Sequence, residues 1–487
     1  MARNRPSPSA EDLGNALNAA ASLHAEGRLS EAEAIYTHVL RYQPHNADAL
    51  NMVGVLSAQT GNHRRARELL KAAIEVRADQ AEYWFNLGTV LAAQGDPSAE
   101  EAFGRALALD PSHVPAQVNL GHVLLGQDRF ETAAECFEAA LSLEPNQAEV
   151  CESLGVALQR QQRFDAAAAA FRRAIAINPD SATAPANYGT LLIECGHAEE
   201  AVAQLRAANE RMPNRPDLLA NLGVALQATG DHAGAIVAYD AALSVSPSYA
   251  RAIGCKGLAL YQLGDAAGAN EIFDYDRLLI PTQVSAVSGY ETVEVFNRAL
   301  ARHVLEHPTL MMGRPSKTTR HGGQTGELLV DRSGPANALE QVLRTACETY
   351  FETVAGRPGG GHTPRPPVQW RLSAWGTVLR TGGYQGPHYH PSGIISGVYY
   401  VRLPTHLDAG DAGKERHQGG LEFGHPPANL NMTAMPPRRM VMPQEGALVL
   451  FPSYFWHRTI PFHSDETRIS ISFDLVPQPE SDSRHVI

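Results

Sequence analysis

Through residue 281 the apolar and polar positions return on one fixed beat. Gly54, Gly88, Gly121, Gly155, Gly189, Gly223 and Gly257 are separated by 34, 33, 34, 34, 34 and 34 residues, and self-similarity at such a period marks a stacked repeat. Proline keeps the same time at Pro44, Pro111, Pro145, Pro179, Pro213, Pro247 and Pro281, with Ala78 where one is missing. Within a unit, Asn86-Leu87-Gly88, Asn119-Leu120-Gly121 and Asn221-Leu222-Gly223 predict a first helix, and Ala102-Phe103, Ala166 to Phe171 and Ala235 to Tyr239 a second. The small glycine lets the two helices approach closely, and the proline stops the second. Eight units fit between about residue 13 and residue 281.

After Pro281 the beat stops. Tyr290 to Leu305 and Leu339 to Val354 read as further helices, Thr318 to Thr325 as a polar, Gly-rich loop, and Ala355 to Pro367, with four glycines and four prolines, as a mobile connector or lid. The texture then turns to β. Trp370 to Leu379, Gly393 to Leu403, Gly420 to Phe423, Met440 to Met442, Ala447 to Phe451 and Ile469 to Val476 are short β-branched or aromatic runs between turn residues. Six to eight such strands suit a small barrel.

The repeat pattern resembles the tetratricopeptide repeat, which implies an α-solenoid whose first helices line a concave groove. Asparagine recurs two residues before the repeat glycine at Asn86, Asn119, Asn187 and Asn221, and Met52, Ser153 and Cys255 interrupt the series. It is similar to the asparagine ladder in the repeats of O-GlcNAc transferase, where amides hold an extended peptide. An amide carries donor and acceptor together and so can satisfy a peptide bond without reading side chains. Asn as mere repeat consensus is the competing explanation.

Charge narrows the partners. Residues 1–282 carry 21 Lys+Arg against 34 Asp+Glu, a net −13, while residues 283–487 carry 19 against 18. An acidic repeat region argues against nucleic acid, which needs a basic footprint. Met1 to Asp12 is polar, without an apolar signal core, and no run of about 18 apolar residues occurs. Five cysteines, Cys136, Cys151, Cys195, Cys255 and Cys347, form neither a metal spacing nor a disulfide framework. A cytoplasmic protein with no membrane partner is expected. The expected plan is a flexible segment 1–12, repeats over 13–282 and a β-rich domain over 283–487.

Candidate chemistry is confined to the last hundred residues. His388-Tyr389-His390 is followed by His457 and then by Arg468-Ile469-Ser470. Residues two apart on a strand share a face, so His388 and His390 can point into one barrel, with Pro391 ending the strand. The run Ala447 to Pro452 is expected to end in Trp456-His457, and a last strand, Arg468 to Phe473, to alternate apolar and polar faces.

This order resembles the 2-oxoglutarate- and Fe(II)-dependent oxygenases, in particular the prolyl-hydroxylase-like branch and a bacterial family ending in "RISISF". The resemblance covers roughly residues 286–478. It implies a multidomain α + β protein: a tetratricopeptide α-solenoid, then a double-stranded β-helix (jelly-roll) with flanking helices. It also implies His388 and His457 as iron ligands, Arg468 as partner of the far 2-oxoglutarate carboxylate, and Ser470 and Tyr400 as hydrogen-bond donors to it. Neutral imidazoles hold Fe(II) while leaving room for a bidentate oxoacid and O2. A guanidinium meets a carboxylate with two parallel bonds.

His390 departs from the pattern, because the usual triad has a carboxylate there. It is a third ligand, or it supports the substrate while Glu422, Asp465 or water completes the shell, or the site has lost metal. The expected function is an Fe(II)- and 2-oxoglutarate-dependent dioxygenase that hydroxylates a protein or peptide side chain held by the repeat groove. The alternatives are a non-catalytic scaffold with a vestigial or ligand-sensing barrel, and halogenation or small-molecule oxidation.

Overall fold

The computed structural model describes residues 8–313, 318–330, 334–357, 362–405, 417–426, 430 and 432–478. The chain forms two compact units, residues 1–191 and 192–487, so the position expected for a domain boundary, 282/283, falls inside the second.

Among the described residues, eight helix pairs run from Ala10 to Ile272. In the first unit these are α1 (Ala10–Ala25) with α2 (Leu29–Tyr42), α3 (Ala47–Gln59) with α4 (His63–Val76), α5 (Ala81–Ala93) with α6 (Ala99–Leu109), α7 (Val114–Gly126) with α8 (Phe130–Leu143), and α9 (Ala148–Arg160) with α10 (Phe164–Ile177). Helix α11 (Thr183–Glu194) crosses from one unit to the next and is followed by α12 (Ala198–Arg211). In the second unit come α13 (Pro216–Ala228), α14 (His232–Val245), α15 (Ala250–Gln262) and α16 (Ala266–Ile272).

Helices α2, α8, α10 and α14 each stop two residues short of a repeat proline, at Tyr42, Leu143, Ile177 and Val245, because proline pushes the residue before it out of the helical region. The repeat glycine is a packing requirement. A Cβ at Gly88 would stand 2.7 Å from the Phe103 ring, at Gly121 2.6 Å from Phe137, and at Gly155 2.6 Å from Phe171. Each of those rings is fully buried.

The eighth repeat breaks the rule. Its second helix ends at Ile272, a short α17 (Tyr275–Leu278) follows, and Pro281 lies in a strand, β1 (Ile280–Gln283), instead of ending a helix. Among the described residues that strand pairs only with β8 (Ala447–Pro452), and an edge strand tolerates proline.

Helices α18 (Val293–Leu305) and α19 (Gly334–Ala355) flank two antiparallel sheets. The larger sheet has the order β1-β8-β5-β10-β4-β3-β2, with β2 at Met311–Met312, β3 at Thr319–Gln324, β4 at Trp370–Gln385, β5 at Ile395–Arg402 and β10 at Arg468–Pro477. The smaller has the order β7-β6-β9, from Arg439–Val441, Leu421–Phe423 and His457–Thr459. Phe423 of β6 and Phe451 of β8 meet edge to face at 4.9 Å, which packs the small sheet against the large one.

Thr318 to Thr325, expected as a loop, is largely strand β3. Its own composition has little strand preference, but the ladders to β2 and β4 impose one. Strand β10 is buried on both faces, and Ser470 and Ser472 are buried with it. The Gly359 to Gly361 part of the expected lid and His406 lie outside the described residues. Among the described residues no helix is long and apolar enough to cross a membrane.

Candidate metal centre and anion pocket

Beyond the end of β4 the chain continues through Gly386 and a bend at Pro387 to His388, which is not inside a regular strand. Its backbone is tied reciprocally to the start of β9: the His388 N–H donates to the His457 carbonyl at 3.0 Å and the His457 N–H to the His388 carbonyl at 2.9 Å. The His390 N–H donates to Ser453 O at 2.9 Å. These bonds draw the three imidazoles together, with ring centroids 4.3 Å apart for His388 and His457, 5.1 Å for His390 and His457 and 5.3 Å for His388 and His390. One nitrogen from each lies within 4.8 Å of the others. Tyr389, between the first two, turns away and packs its ring on Trp456 at 4.7 Å. His457 opens β9 and does not close β8, because Ser453 to Trp456 intervene as a turn.

Each ring is held from behind by its Nδ1. His388 Nδ1 lies 2.7 Å from Gly386 O, His457 Nδ1 lies 2.9 Å from Phe455 O, and His390 Nδ1 lies 2.6 Å from an Asp474 carboxylate oxygen. A carbonyl only accepts, so Nδ1 of His388 and His457 carries the proton and Nε2 presents its lone pair to the centre of the cluster. Burial, with neighbouring imidazoles adding to it, pushes His388 down to about 4 and His457 well below the usual histidine range. Both are therefore neutral at pH 7, the form that binds metal.

A carboxylate is present, but behind a histidine. Asp474 on β10 is buried, accepts from Ser396 Oγ at 2.6 Å, and Ser396 Oγ lies 2.8 Å from Ser453 Oγ. Glu422 is engaged by Arg458 at 2.6 Å and Arg438 at 3.6 Å, and Asp465 is exposed. Neither joins the histidine cluster.

The second half of the site is a row of polar groups across three strands. In the sheet register Ser470 on β10 stands opposite Thr377 on β4 and Tyr400 on β5, and opposite residues share a face. Arg468, two residues earlier, adds its guanidinium 5.3 Å from the centre of the Tyr400 ring. Arg468 is 2% exposed. Among the described residues its Nε and Nη1, the Tyr400 hydroxyl and the Thr377 hydroxyl make no hydrogen bond. Burial raises the Tyr400 phenol, so it stays a donor, while the guanidinium keeps its charge despite a downward push from burial. A buried cation with no acid beside it is costly. The donor set fits one carboxylate.

Strand alternation puts Arg468, Ser470, Ser472 and Asp474 on one face of β10, so the buried guanidinium and the support of His390 belong to the same strand. A cleft of about 590 Å³ lined by Tyr384, Gly386, Pro387, Glu422, Arg458 and Ile460 opens beside the segments that carry His388 and His457. Thr377 and Asp474 escaped the sequence reading. Asp474 had a signal, since it shares the parity of Arg468 and Ser470; Thr377 had none without the register.

The asparagine series makes contacts between neighbouring repeats. Asn86 Nδ2 donates to Asn51 Oδ1 at 3.1 Å and Asn187 Nδ2 to Glu152 at 2.7 Å, while Asn221 accepts from Arg251. Asn119 is half-buried.

This arrangement defines a repeat protein joined to a β-domain with a three-histidine cluster and a buried arginine. Residues 373–474 match the family model described as "Putative 2OG-Fe(II) oxygenase". Tetratricopeptide-repeat models match residues 118–182 and 221–275, and residues 23–88 and 158–223. The chain thus carries tetratricopeptide repeats and a domain of that oxygenase family. Human Tetratricopeptide repeat protein 7B is 33% identical over 87 residues, 18% of this chain and 10% of that protein. Human Tetratricopeptide repeat protein 7A is 32% identical over 88 residues, with the same shares. The match thus spans about a tenth of these relatives. Among solved structures, YrrB, a TPR protein with an unusual peptide-binding site, is 25% identical over 39% of this chain and 98% of its own, with a TM-score of 0.36. The C-terminal part of a TPR repeat-containing protein from Cytophaga hutchinsonii is 14% identical over 49% of this chain and 98% of its own, with a TM-score of 0.42.

Proposed function

We propose that the protein is a 2-oxoglutarate- and Fe(II)-dependent dioxygenase acting on a protein or peptide side chain brought by the repeats, with residues 13–282 as the binding region and 283–487 as the catalytic domain. The observation that carries this reading is the convergence of one ring nitrogen from each of His388, His390 and His457, together with a buried Arg468 whose Nε and Nη1 make no hydrogen bond among the described residues. His388, His390 and His457 would hold Fe(II). Arg468 would bind the far carboxylate of 2-oxoglutarate, with the Tyr400, Thr377 and Ser470 hydroxyls donating to it. Bound there, iron supplies oxidative decarboxylation of 2-oxoglutarate by O2 to succinate and CO2, coupled to hydroxylation of a C–H bond.

The chain's own residues bind and orient. Gly386 O, Phe455 O and Asp474 fix the ring planes, so the metal-facing lone pairs need no reorganisation when metal enters. Phe423 and Phe451 flank His457 at 5.8 and 4.8 Å and keep water from that side. The cleft beside Pro387 and Arg458 would receive a side chain of an extended polypeptide next to the segments that carry His388 and His457.

The test is anaerobic reconstitution with Fe(II), followed by succinate release from 2-oxoglutarate under O2, with His388→Ala and His457→Ala as controls. Turnover that needs iron and both histidines supports the proposal. Absence of bound iron together with absence of turnover overturns it and leaves the scaffold alternative.

A further inference from the structure

The amide that grips peptide backbone in this protein is a glutamine near the end of the repeats, and the backbone it grips is the chain's own. Gln262, at the C-terminus of α15, accepts from the Thr433 N–H at 3.0 Å, the Thr433 hydroxyl at 2.6 Å and the Ala434 N–H at 3.4 Å. Its Nε2 donates to the Ala434 carbonyl at 2.7 Å and lies 3.5 Å from the Met432 sulfur. Gln227, at the end of α13, presents Nε2 to the same sulfur at 3.7 Å, while its Oε1 accepts from the Tyr239 hydroxyl at 3.0 Å.

Three properties make this a site and not merely a tie. Gln262 uses donor and acceptor at once on the two successive N–H groups and the carbonyl of a bent Thr433-Ala434 segment. Gln227 is buried at 2% exposure and pre-oriented by Tyr239, so its N–H is aimed before anything binds. Among the described residues, every hydrogen bond of Met432, Thr433 and Ala434 goes to these two glutamines. The segment can therefore leave without breaking a ladder of the sheet, whose strands β6 and β7 stop at Phe423 and resume at Arg439.

We propose that Gln227 and Gln262 form a peptide-binding site on the last repeats, that Met432-Thr433-Ala434 is its internal occupant, and that an incoming polypeptide which takes the same bend, with methionine at the first position, exchanges with it. The site reads backbone at two positions and a thioether at one, and it stands independently of iron.

The experiment uses the full chain with Met432, Thr433 and Ala434 replaced by three glycines, and a labelled synthetic peptide of residues 430–436. A tethered occupant competes at an effective concentration in the millimolar range. Fluorescence anisotropy is therefore expected to show at least tenfold tighter binding to the triple-glycine protein than to the unaltered one, and Gln262→Ala in that background should remove most of the gain. Equal affinity for both proteins, or indifference to Gln262→Ala, overturns the proposal. A second measurement covers misfolding of the triple variant: amide exchange at Thr433 and Ala434 in the otherwise unaltered chain. Gln262→Ala, or excess peptide, should speed exchange at both amides at least tenfold while α15 stays protected. Unchanged exchange in both cases overturns the proposal.

Discussion

His390 and Asp474 are joined by a 2.6 Å hydrogen bond, Nδ1 to carboxylate, inside a pocket that also holds Ser396 and Ser453. The carboxylate that a two-histidine facial triad would place on the metal here stands behind His390, orienting a third imidazole. Outer partners of this kind change metal affinity by about 10–100-fold.

Asp474→Ala should accordingly weaken metal binding by about 10–100-fold, whereas Asp474→Asn, whose amide oxygen still accepts from Nδ1, should lose less. Anaerobic calorimetry with Fe(II), or with Co(II) as a spectroscopic stand-in, measures both. Equal affinities for the parent and the alanine variant would remove Asp474 from the site.

Arg468 supplies the buried positive charge of the proposed anion pocket. Arg468→Lys keeps a charge but loses the planar fork, so 2-oxoglutarate affinity should fall at least tenfold, with metal binding retained. Equilibrium dialysis of labelled 2-oxoglutarate against the metal-loaded variant checks this; unaltered affinity would place the co-substrate elsewhere.

Acid should destabilise the metal-free protein through its histidines. His388 is pushed from an ordinary value of about 6.5 down to about 4. Between those values the unfolded chain takes up a proton that the native site refuses. This contribution is therefore complete above pH 6.5 and is lost as pH falls toward 4, by roughly 3 kcal/mol for this one group. The downward shift of His457 acts in the same direction. Denaturant titrations of chelator-treated protein from pH 7.5 to 4.5 measure the slope, and His388→Asn should flatten it.

Gly121 has no room for a methyl group, since a Cβ there would sit 2.6 Å from Phe137. Gly121→Ala should cost about 1–3 kcal/mol by overpacking. Gly126→Ala, on the same helix with nothing within 4 Å, serves as the control in urea unfolding.

The repeats were legible because each unit's helices, turn and packing partner lie within 34 residues. Gly88 and Phe103 are both local to one unit, and period alone exposes them. The eighth unit was misjudged at Pro281 because an edge strand and a helix terminator both accept proline, and only the pairing with Leu448 to Leu450 distinguishes them. His388, His390, His457 and Arg468 could be singled out as residue types in an order. The row Thr377, Ser470, Tyr400 could not, since it exists only through the register of three strands.

The order of residues along this chain was thus enough to determine the helix-pair repeat, the β-rich C-terminal half and the set of candidate ligands, because hydrophobic period and short-range spacing are local properties. Only the tertiary structure decided that Asp474 backs His390 and that Arg468 is a buried cation with open donors. It alone placed Gln262 on residues 171 and 172 positions away. Those relationships depend on which strands pair and which loop docks, and no local pattern encodes contacts that chain folding brings together from so far apart.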